Sequence, residues 1–404
     1  MVIGAGPAGL GAAAALRRAG VPTVVLERSS IGDSWKHHYD RLHLHTVRWL
    51  SALPGLPIDR REGRWVSRDG VVRYLEQYVE HHGLDVRTGV EVERLDREDG
   101  DWVLRTTGGD IRAPAVVVAT GFNRERFLPA WPGRDTFTGR LLHSADYRNP
   151  EPFRGRDVLV VGTGNSGAEI AVDLVEGGAR VVAISVRTPP NLVRRDVLGL
   201  PSQALAVLLR RLPARVGDRV AAVVQRLTVG NLTRHGMPAP TAGLYTRAKD
   251  DSIPILDVGL IRLLKRGRVR VVPTVERFDG PEVVLAEGSR IRPDVVIAAT
   301  GFHRGLEPLV GRFGLVSPGG RPAVHGDRTH PAAPNLYFIG YSNPISGNLR
   351  EIGFDARRIA RAVVRSGLGP APARVYHRPQ WTTSSRGRRG ERREEPWRRS
   401  SAAG

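Results

Sequence analysis

No cysteine occurs in the 404 residues. The chain therefore cannot relay electrons through a thiol pair of its own, and it cannot hold a Cys-ligated iron–sulfur or zinc centre. Lysine is scarce: Lys36, Lys249 and Lys265 are the three that occur, and the remaining strong bases are Arg. No apolar run approaches the roughly 18–20 residues that cross a bilayer. No basic segment with an apolar run and cleavage site precedes the first predicted strand, so a cytoplasmic location is expected.

The formal net charge of +20 raises the alternative of a non-enzymatic, basic nucleic-acid-binding protein. Against it, Arg is scattered along the whole chain rather than gathered in a stripe. The densest block runs from His377 to Gly404, is rich in Ser, Gly and Arg, and has no apolar periodicity. Disorder is expected over 371–404, with no specific nucleic-acid recognition. The length allows two or three domains with a sizeable core.

Two glycine-rich turns carry the strongest information. Val2-Ile3-Gly4-Ala5-Gly6-Pro7-Ala8-Gly9 opens the chain, and Val160-Val161-Gly162-Thr163-Gly164-Asn165-Ser166-Gly167 repeats the pattern. Each follows a β-branched run and precedes an Ala-containing helical pattern. In such a turn the first Gly permits the bend, the second lets backbone approach a pyrophosphate, and the third lets helix and strand pack closely. The helix N-terminus then offers unpaired N–H groups and partial positive charge to the phosphates. Two such turns imply two nucleotides, and a flavin beside a nicotinamide is the economical pairing.

The strands that follow differ. Pro22-Thr23-Val24-Val25-Leu26-Glu27 ends in an acid 18 residues after Gly9, placed to accept from a ribose diol, as FAD or NAD requires. The second counterpart, Ala179 to Arg187, ends in Ser185 and Arg187 instead. Arg187 lies 20 residues past Gly167, where a guanidinium can pair with a 2′-phosphate, so NADPH is expected there.

Alternating strand and helix patterns predict an α/β fold with two Rossmann-like dinucleotide-binding domains, each carrying a small antiparallel β-meander. Tyr74–His82 reads as a helix and Asp85–Val90 as a strand. Ala115–Gly121 and Asp294–Gly301 both read as buried strands closing in Ala-Thr-Gly. Asn335–Tyr341 reads as a strand and Gly353–Ser366 as a helix, both returning to the first domain. The expected layout is an FAD-binding domain in two parts, 1–156 and 295–370, with an NADPH-binding domain, 157–294, inserted between them. The basic amphipathic segment at about 201–230, broken near Pro213, reads as a helical hairpin on the NADPH domain, with a membrane-surface or substrate-lid role as alternatives. The opening strand, Met1-Val2-Ile3, is short, so further residues upstream are expected.

Between the glycine turns lies Phe137-Thr138-Gly139-Arg140-Leu141-Leu142-His143-Ser144-Ala145-Asp146-Tyr147. It resembles the F-x-G-x-x-x-H-x-x-x-(F/Y/W) signature of class B flavin-dependent monooxygenases. Gly32-Asp33-Ser34-Trp35, Tyr39 to His45, Gly162 to Glu169, Leu192 to Gly199 and Pro254 to Gly259 are similar to the flavin-containing, YUCCA-like branch. The resemblance covers about residues 1–368. It implies that NADPH reduces FAD and that the reduced flavin takes up O2 as a flavin hydroperoxide. One oxygen atom then passes to a small organic substrate, an aryl-pyruvate-like acid among the candidates, and the other leaves as water.

The cofactor-binding residues so expected are Gly4, Gly6, Pro7, Ala8, Gly9, Glu27, Arg28, Gly32, Trp35, Leu44, His45, Val90, Ala119, Thr120 and Gly121. To these are added Gly162, Gly164, Asn165, Ser166, Gly167, Ser185, Arg187, Ala299, Thr300 and Gly301. His143 is expected to join the domains and steer the nicotinamide, with simple structural packing as the alternative. His37, His38, His43 and His45 have no diagnostic metal spacing, and no metal is expected. Tyr147 stands where Trp marks Baeyer–Villiger enzymes, which makes ketone-to-ester chemistry a lesser alternative. Val47 stands where animal-type relatives carry an Asn. An NADPH oxidase releasing hydrogen peroxide is the enzymatic alternative. Substrate and oligomeric state are not readable.

Overall fold

The structure, a computed structural model, describes residues 1–209, 213–248 and 253–368. The Arg-rich tail and Lys249 lie outside the described residues.

Two five-stranded parallel sheets organise the molecule. In the first, the strand order is Leu336–Phe338, Val116–Val118, Val2–Ile3, Val24–Leu26 and Asp85–Arg87. The central strands are β-branched and buried on both faces, as a sheet covered on two sides requires. Helix Pro7–Arg18 covers one face with Asn348–Val363 and Arg68–His82. Its Ala12 and Ala13 are fully buried, because small side chains let the backbones of strand and helix approach. Helix Asn348–Val363 buries Leu349, Ile352, Ala356, Ile359 and Val363 in a single stripe of helical spacing. Ser67 caps helix Arg68–His82 by accepting from Gly70 N–H at 3.1 Å. The other face carries the meander Val92–Glu98, Asp101–Thr106 and Ile111–Ala113, with Trp102 buried against Leu95, Leu104 and Phe338.

The second sheet runs Arg270–Val272, Val181–Ser185, Asp157–Val161, Val295–Ala298 and Arg140–His143. Helices Asn165–Glu176 and Leu260–Lys265 cover one face. A second meander, Val275–Asp279, Glu282–Leu285 and Arg290–Ile291, covers the other around Phe278. This duplication follows the sequence expectation, but the expected boundaries at 156/157 and 294/295 cut through the sheet. Val295–Ala298 pairs with Val158–Val161, and Arg140–His143 forms the edge beyond it, so the sheet spans 140–298. Strand 140–143 coincides with the motif around His143, whose polar ends disguise a parallel edge strand.

Several elements differ in extent. Helix Arg68–His82 starts six residues before Tyr74, strand Asp85–Arg87 stops short of Val90, and the last long helix is Asn348–Val363. The buried strands shorten to Val116–Val118, Val295–Ala298 and Leu336–Phe338. Two short strands, Glu125–Arg126 and Phe302–His303, pair antiparallel where the chain passes between the sheets. The 201–230 segment follows a hairpin, Asp196–Val197 with Leu200–Pro201, and contains helices Ser202–Leu209 and Ala214–Thr228, the second capped by Pro213.

Candidate functional site

A cavity of about 800 Å³ opens at the C-terminal ends of the first sheet's strands, where Ile3, Leu26 and Ala119 line it. That is where ligands bind in open parallel sheets. Of the expected residues, Gly4, Gly6, Pro7, Ala8, Glu27, Arg28, Gly32, Trp35, Leu44, His45, Val90, Ala119, Thr120 and Gly121 line it, together with Asn165 and Ser166 of the second turn. The first glycine turn and the N-terminus of the second domain's helix thus share one cavity.

The glycines of each turn have separable reasons. A Cβ on Gly4, at φ +103°, would meet Ala119 O at 2.7 Å, and one on Gly9 would meet Gly4 O at 1.8 Å. In the second turn, Gly162 faces Ala299 O at 2.4 Å and Gly167 faces Gly162 O at 2.1 Å. These four are demanded by the protein's own packing, and each Ala-Thr-Gly segment forms the back wall of a turn. A Cβ on Gly6 or Gly164 would meet no protein atom within 4 Å. Both sit as extended N-caps with no capping side chain, so the first N–H groups of each helix face that open space. The residues present therefore fit a diphosphate at each turn.

Glu27 accepts from Ala5 N–H at 2.8 Å through Oε2 and from Ser29 N–H at 3.0 Å through Oε1. These bonds fix the carboxylate at the strand end and leave lone pairs for a ribose diol. In the second domain, Asn165 is held at both ends: Oδ1 accepts from Leu256 N–H at 2.8 Å, and Nδ2 donates to Pro254 O at 3.3 Å. Ser185 is buried and donates to Pro273 O at 2.8 Å, so its hydroxyl shapes the strand end and is not turned to solvent. Arg187 is exposed, with no hydrogen bond or ion pair among the described residues.

His143 does not line the cavity. Its Nδ1 accepts from Ala145 N–H at 3.1 Å, so Nε2 carries the proton and donates to Gly301 O at 3.0 Å. The ring lies edge-on to Phe302 at 4.9 Å. It therefore secures the edge strand to the crossing at 301–303, and burial depresses its pKa. Thr300 hydroxyl donates to Phe127 O on the opposite crossing.

A buried polar junction, of which the sequence analysis singled out only His45 and Tyr147 and in other roles, joins the domains. Tyr39 OH donates to Glu169 Oε2 at 2.9 Å, and His45 Nε2 lies 3.1 Å from Glu169 Oε1. Arg41 reaches Asp173 and Glu176, and Tyr147 OH donates to Asp173 Oδ2 at 2.7 Å. Burial pushes the Glu169 carboxyl up to about 7 and the His45 imidazole down to about 4, with Arg195 adding to the latter. The signal was present: Glu169 and Asp173 are acids at i, i+4 on the apolar face of helix Asn165–Glu176. His38, which lines the cavity, is pushed down to about 4 by burial and by Arg148, Arg68 and His37. Val47 is fully buried and does not line the cavity; its N–H donates to Gln203 Oε1 at 2.9 Å. That bond pins helix Ser202–Leu209 over the cavity, where Leu205, Ala206 and Leu209 join Ala221 and Val224 in its wall. Helices Ser202–Leu209 and Ala214–Thr228 thus form a wall of the site. Among the described residues no group of three or more His, Asp or Glu is placed to hold a metal. None of their helices is long and apolar enough to cross a membrane.

Comparison with known proteins agrees with this geometry. Residues 1–197 match the family described as pyridine nucleotide-disulphide oxidoreductase. The chain is 38% identical over 350 residues to the indole-3-pyruvate monooxygenase YUCCA1 of Oryza sativa subsp. japonica, covering 85% of this chain and 86% of that protein. It is 31% identical to the probable indole-3-pyruvate monooxygenase YUCCA9 of Arabidopsis thaliana, covering 90% and 88%. Among solved structures, a flavin-containing monooxygenase from Stenotrophomonas maltophilia superposes with a TM-score of 0.69 at 28% identity, covering 91% of this chain and 98% of that one. A cyclohexanone monooxygenase superposes with a TM-score of 0.69 at 21% identity, covering 92% and 89%, a likeness of fold.

Proposed function

The chain belongs to the YUCCA-like branch of the class B flavin-dependent monooxygenases, and from that premise we propose that its substrate is an aryl-substituted 2-oxo acid. It is an FAD-dependent oxidoreductase that uses NADPH and O2. The observation that carries the proposal is the single cavity onto which the first glycine turn and the second domain's helix N-terminus both open. Bound there, the two cofactors supply hydride transfer and oxygen activation; the chain's own residues supply position and dryness.

In this reading the first sheet, with Gly4, Gly6, Gly9 and Glu27, holds the flavin nucleotide. The second, with Gly162, Gly164, Gly167 and Arg187, holds NADPH. Glu27 takes the ribose diol, and Arg187 takes the 2′-phosphate. Leu205, Leu209, Ala221 and Val224 form the apolar wall that meets an aromatic ring and excludes water. His143 acts on the domain crossing rather than on reacting atoms. One oxygen atom enters the substrate and the other leaves as water.

The test is aerobic NADPH consumption with oxygen uptake and hydrogen peroxide measured together. Indole-3-pyruvate and phenylpyruvate are compared with an amine, a sulfide and a ketone. The expected result is NADPH consumed one-for-one with the oxo acid and little peroxide. Peroxide equal to NADPH with every substrate would instead make the protein an NADPH oxidase.

A further inference from the structure

Large apolar side chains left in solvent are concentrated in one segment. Among the described residues, seven of the twelve exposed large hydrophobics fall between residues 198 and 227. On helix Ala214–Thr228, Val216, Val220, Val223 and Leu227 follow i, i+4, i+7, i+11 spacing and form one exposed stripe. Leu227 is 80% exposed. Arg215, Arg219 and Arg226 form a second exposed stripe beside it, with no ion pair among the described residues. Ala221, Val224 and Gln225 on the remaining face line the large cavity. The helix thus has two apolar aspects, one turned to the cavity and one turned outward.

The preceding hairpin adds an independent feature. Leu198 is 99% exposed at its tip and adopts φ +50°, a left-handed conformation that disfavours Leu. Strain and full exposure together gain nothing for the isolated fold. Leu200 and Leu208 continue the exposed apolar surface toward the helices.

The third observation is a second pocket of about 310 Å³, lined by Arg194, Arg262, Lys265 and Arg266 with one acid, Asp257. Asp257 is engaged in capping Gly259 N–H and Ile261 N–H. Arg194 Nε donates to Thr228 O at 2.7 Å, and Lys265 Nζ lies beside Gly230. The basic pocket therefore sits at the C-terminal end of the striped helix, next to Leu227.

We propose that hairpin 196–201 and helices 202–209 and 214–228 form an interfacial docking surface for an anionic phospholipid bilayer. The outer apolar stripe enters the headgroup–acyl boundary, the Arg stripe lies at headgroup level, and the Arg194–Lys265–Arg266 pocket takes lipid phosphate. An amphipathic helix with an apolar stripe flanked by Arg is the arrangement that lies in a membrane plane. Charge complementarity favours this occupant over a second copy of the chain, because two copies would bring these Arg stripes toward one another. Docking in this way sets a wall of the catalytic cavity on the lipid surface.

The test uses the full-length holoprotein and vesicle flotation. Vesicles are either phosphatidylcholine alone or equal parts of phosphatidylcholine and phosphatidylglycerol. The expected result is flotation with the anionic vesicles, diminished by high salt and weak on phosphatidylcholine. V223D/L227D should weaken partitioning roughly tenfold or more with flavin content unchanged. L198D, at a tip with no packing to lose, should weaken it while thermal stability is kept or raised. The proposal is overturned if the holoprotein stays with the soluble fraction, or if both variants float as the parent does, since binding then resides elsewhere. It is equally overturned if sedimentation equilibrium shows a dimer that V223D/L227D converts to monomer.

Discussion

Replacing the middle glycine of a turn by alanine should separate nucleotide binding from folding. Gly6 is extended at φ −83° and ψ −177°, which Ala adopts freely and which the following Pro7 itself favours. Its Cβ would meet no protein atom within 4 Å. Gly6→Ala should therefore leave the apoprotein within about 0.5 kcal/mol of the parent. The same methyl would occupy the space where a diphosphate approaches the helix N–H groups. Losing one or two charge-assisted hydrogen bonds there costs on the order of 3 kcal/mol, or roughly 150-fold in the FAD dissociation constant. Gly9→Ala has the opposite signature: its Cβ would fall 1.8 Å from Gly4 O, which forces backbone to move. Overpacking of that kind costs about 1–3 kcal/mol or more, lowering the apoprotein melting temperature by roughly 1–4 °C in a chain of this length. Calorimetry of the two apoproteins and FAD titration by flavin fluorescence quenching measure both quantities. Gly6→Ala binding FAD as the parent does, or melting as low as Gly9→Ala, would refute the assignment of that space to a phosphate. Gly164→Ala extends the experiment to the second turn, where NADPH KM should rise while flavin content holds.

Arg187→Ala should raise the KM for NADPH roughly 10- to 100-fold, the loss of one charge-assisted phosphate contact, and leave that for NADH nearly unchanged; equal effects would remove the 2′-phosphate role. His143→Ala removes the bond to Gly301 O and should slow flavin reduction or raise the share of NADPH lost as peroxide, so unchanged stopped-flow reduction and unchanged coupling would reduce His143 to packing. His38 stays neutral in the folded chain down to about 4, against 6.5 in the unfolded chain. The unfolded state therefore binds the extra proton across that window, so the His38 contribution to stability is lost as pH falls through it. Urea midpoints should drop less steeply over that range in His38→Gln, and an identical pH slope would contradict the buried neutral imidazole.

Much of the site was legible because it depends on backbone. Gly4, Gly9, Gly162 and Gly167 announce close approaches within a few residues of sequence, and Glu27 and Arg187 lie at fixed distances from them. What could not be read depends on partners far along the chain. Strand Arg140–His143 has its partner at Val295–Ala298, and nothing local marks a parallel edge strand. Glu169 has its carboxyl raised by burial, against the lowering effect of the Tyr39 hydrogen bond, and the residues that pack over it, Tyr39 and His45, come from more than 120 positions away in the chain. The wall formed by Leu205, Leu209 and Val224 depends on Gln203 reaching Val47 N–H and Ser346 O. A hydrophobic pattern states that such residues are covered, but not by what.

The paired strands Glu125–Arg126 and Phe302–His303 have a mechanical consequence. A lone tether would let the inserted half swivel and drift; a two-ply ribbon, laced by its own backbone bonds, resists both. Any relative displacement of the halves that carry the two glycine turns would have to bend that ribbon or part its bonds.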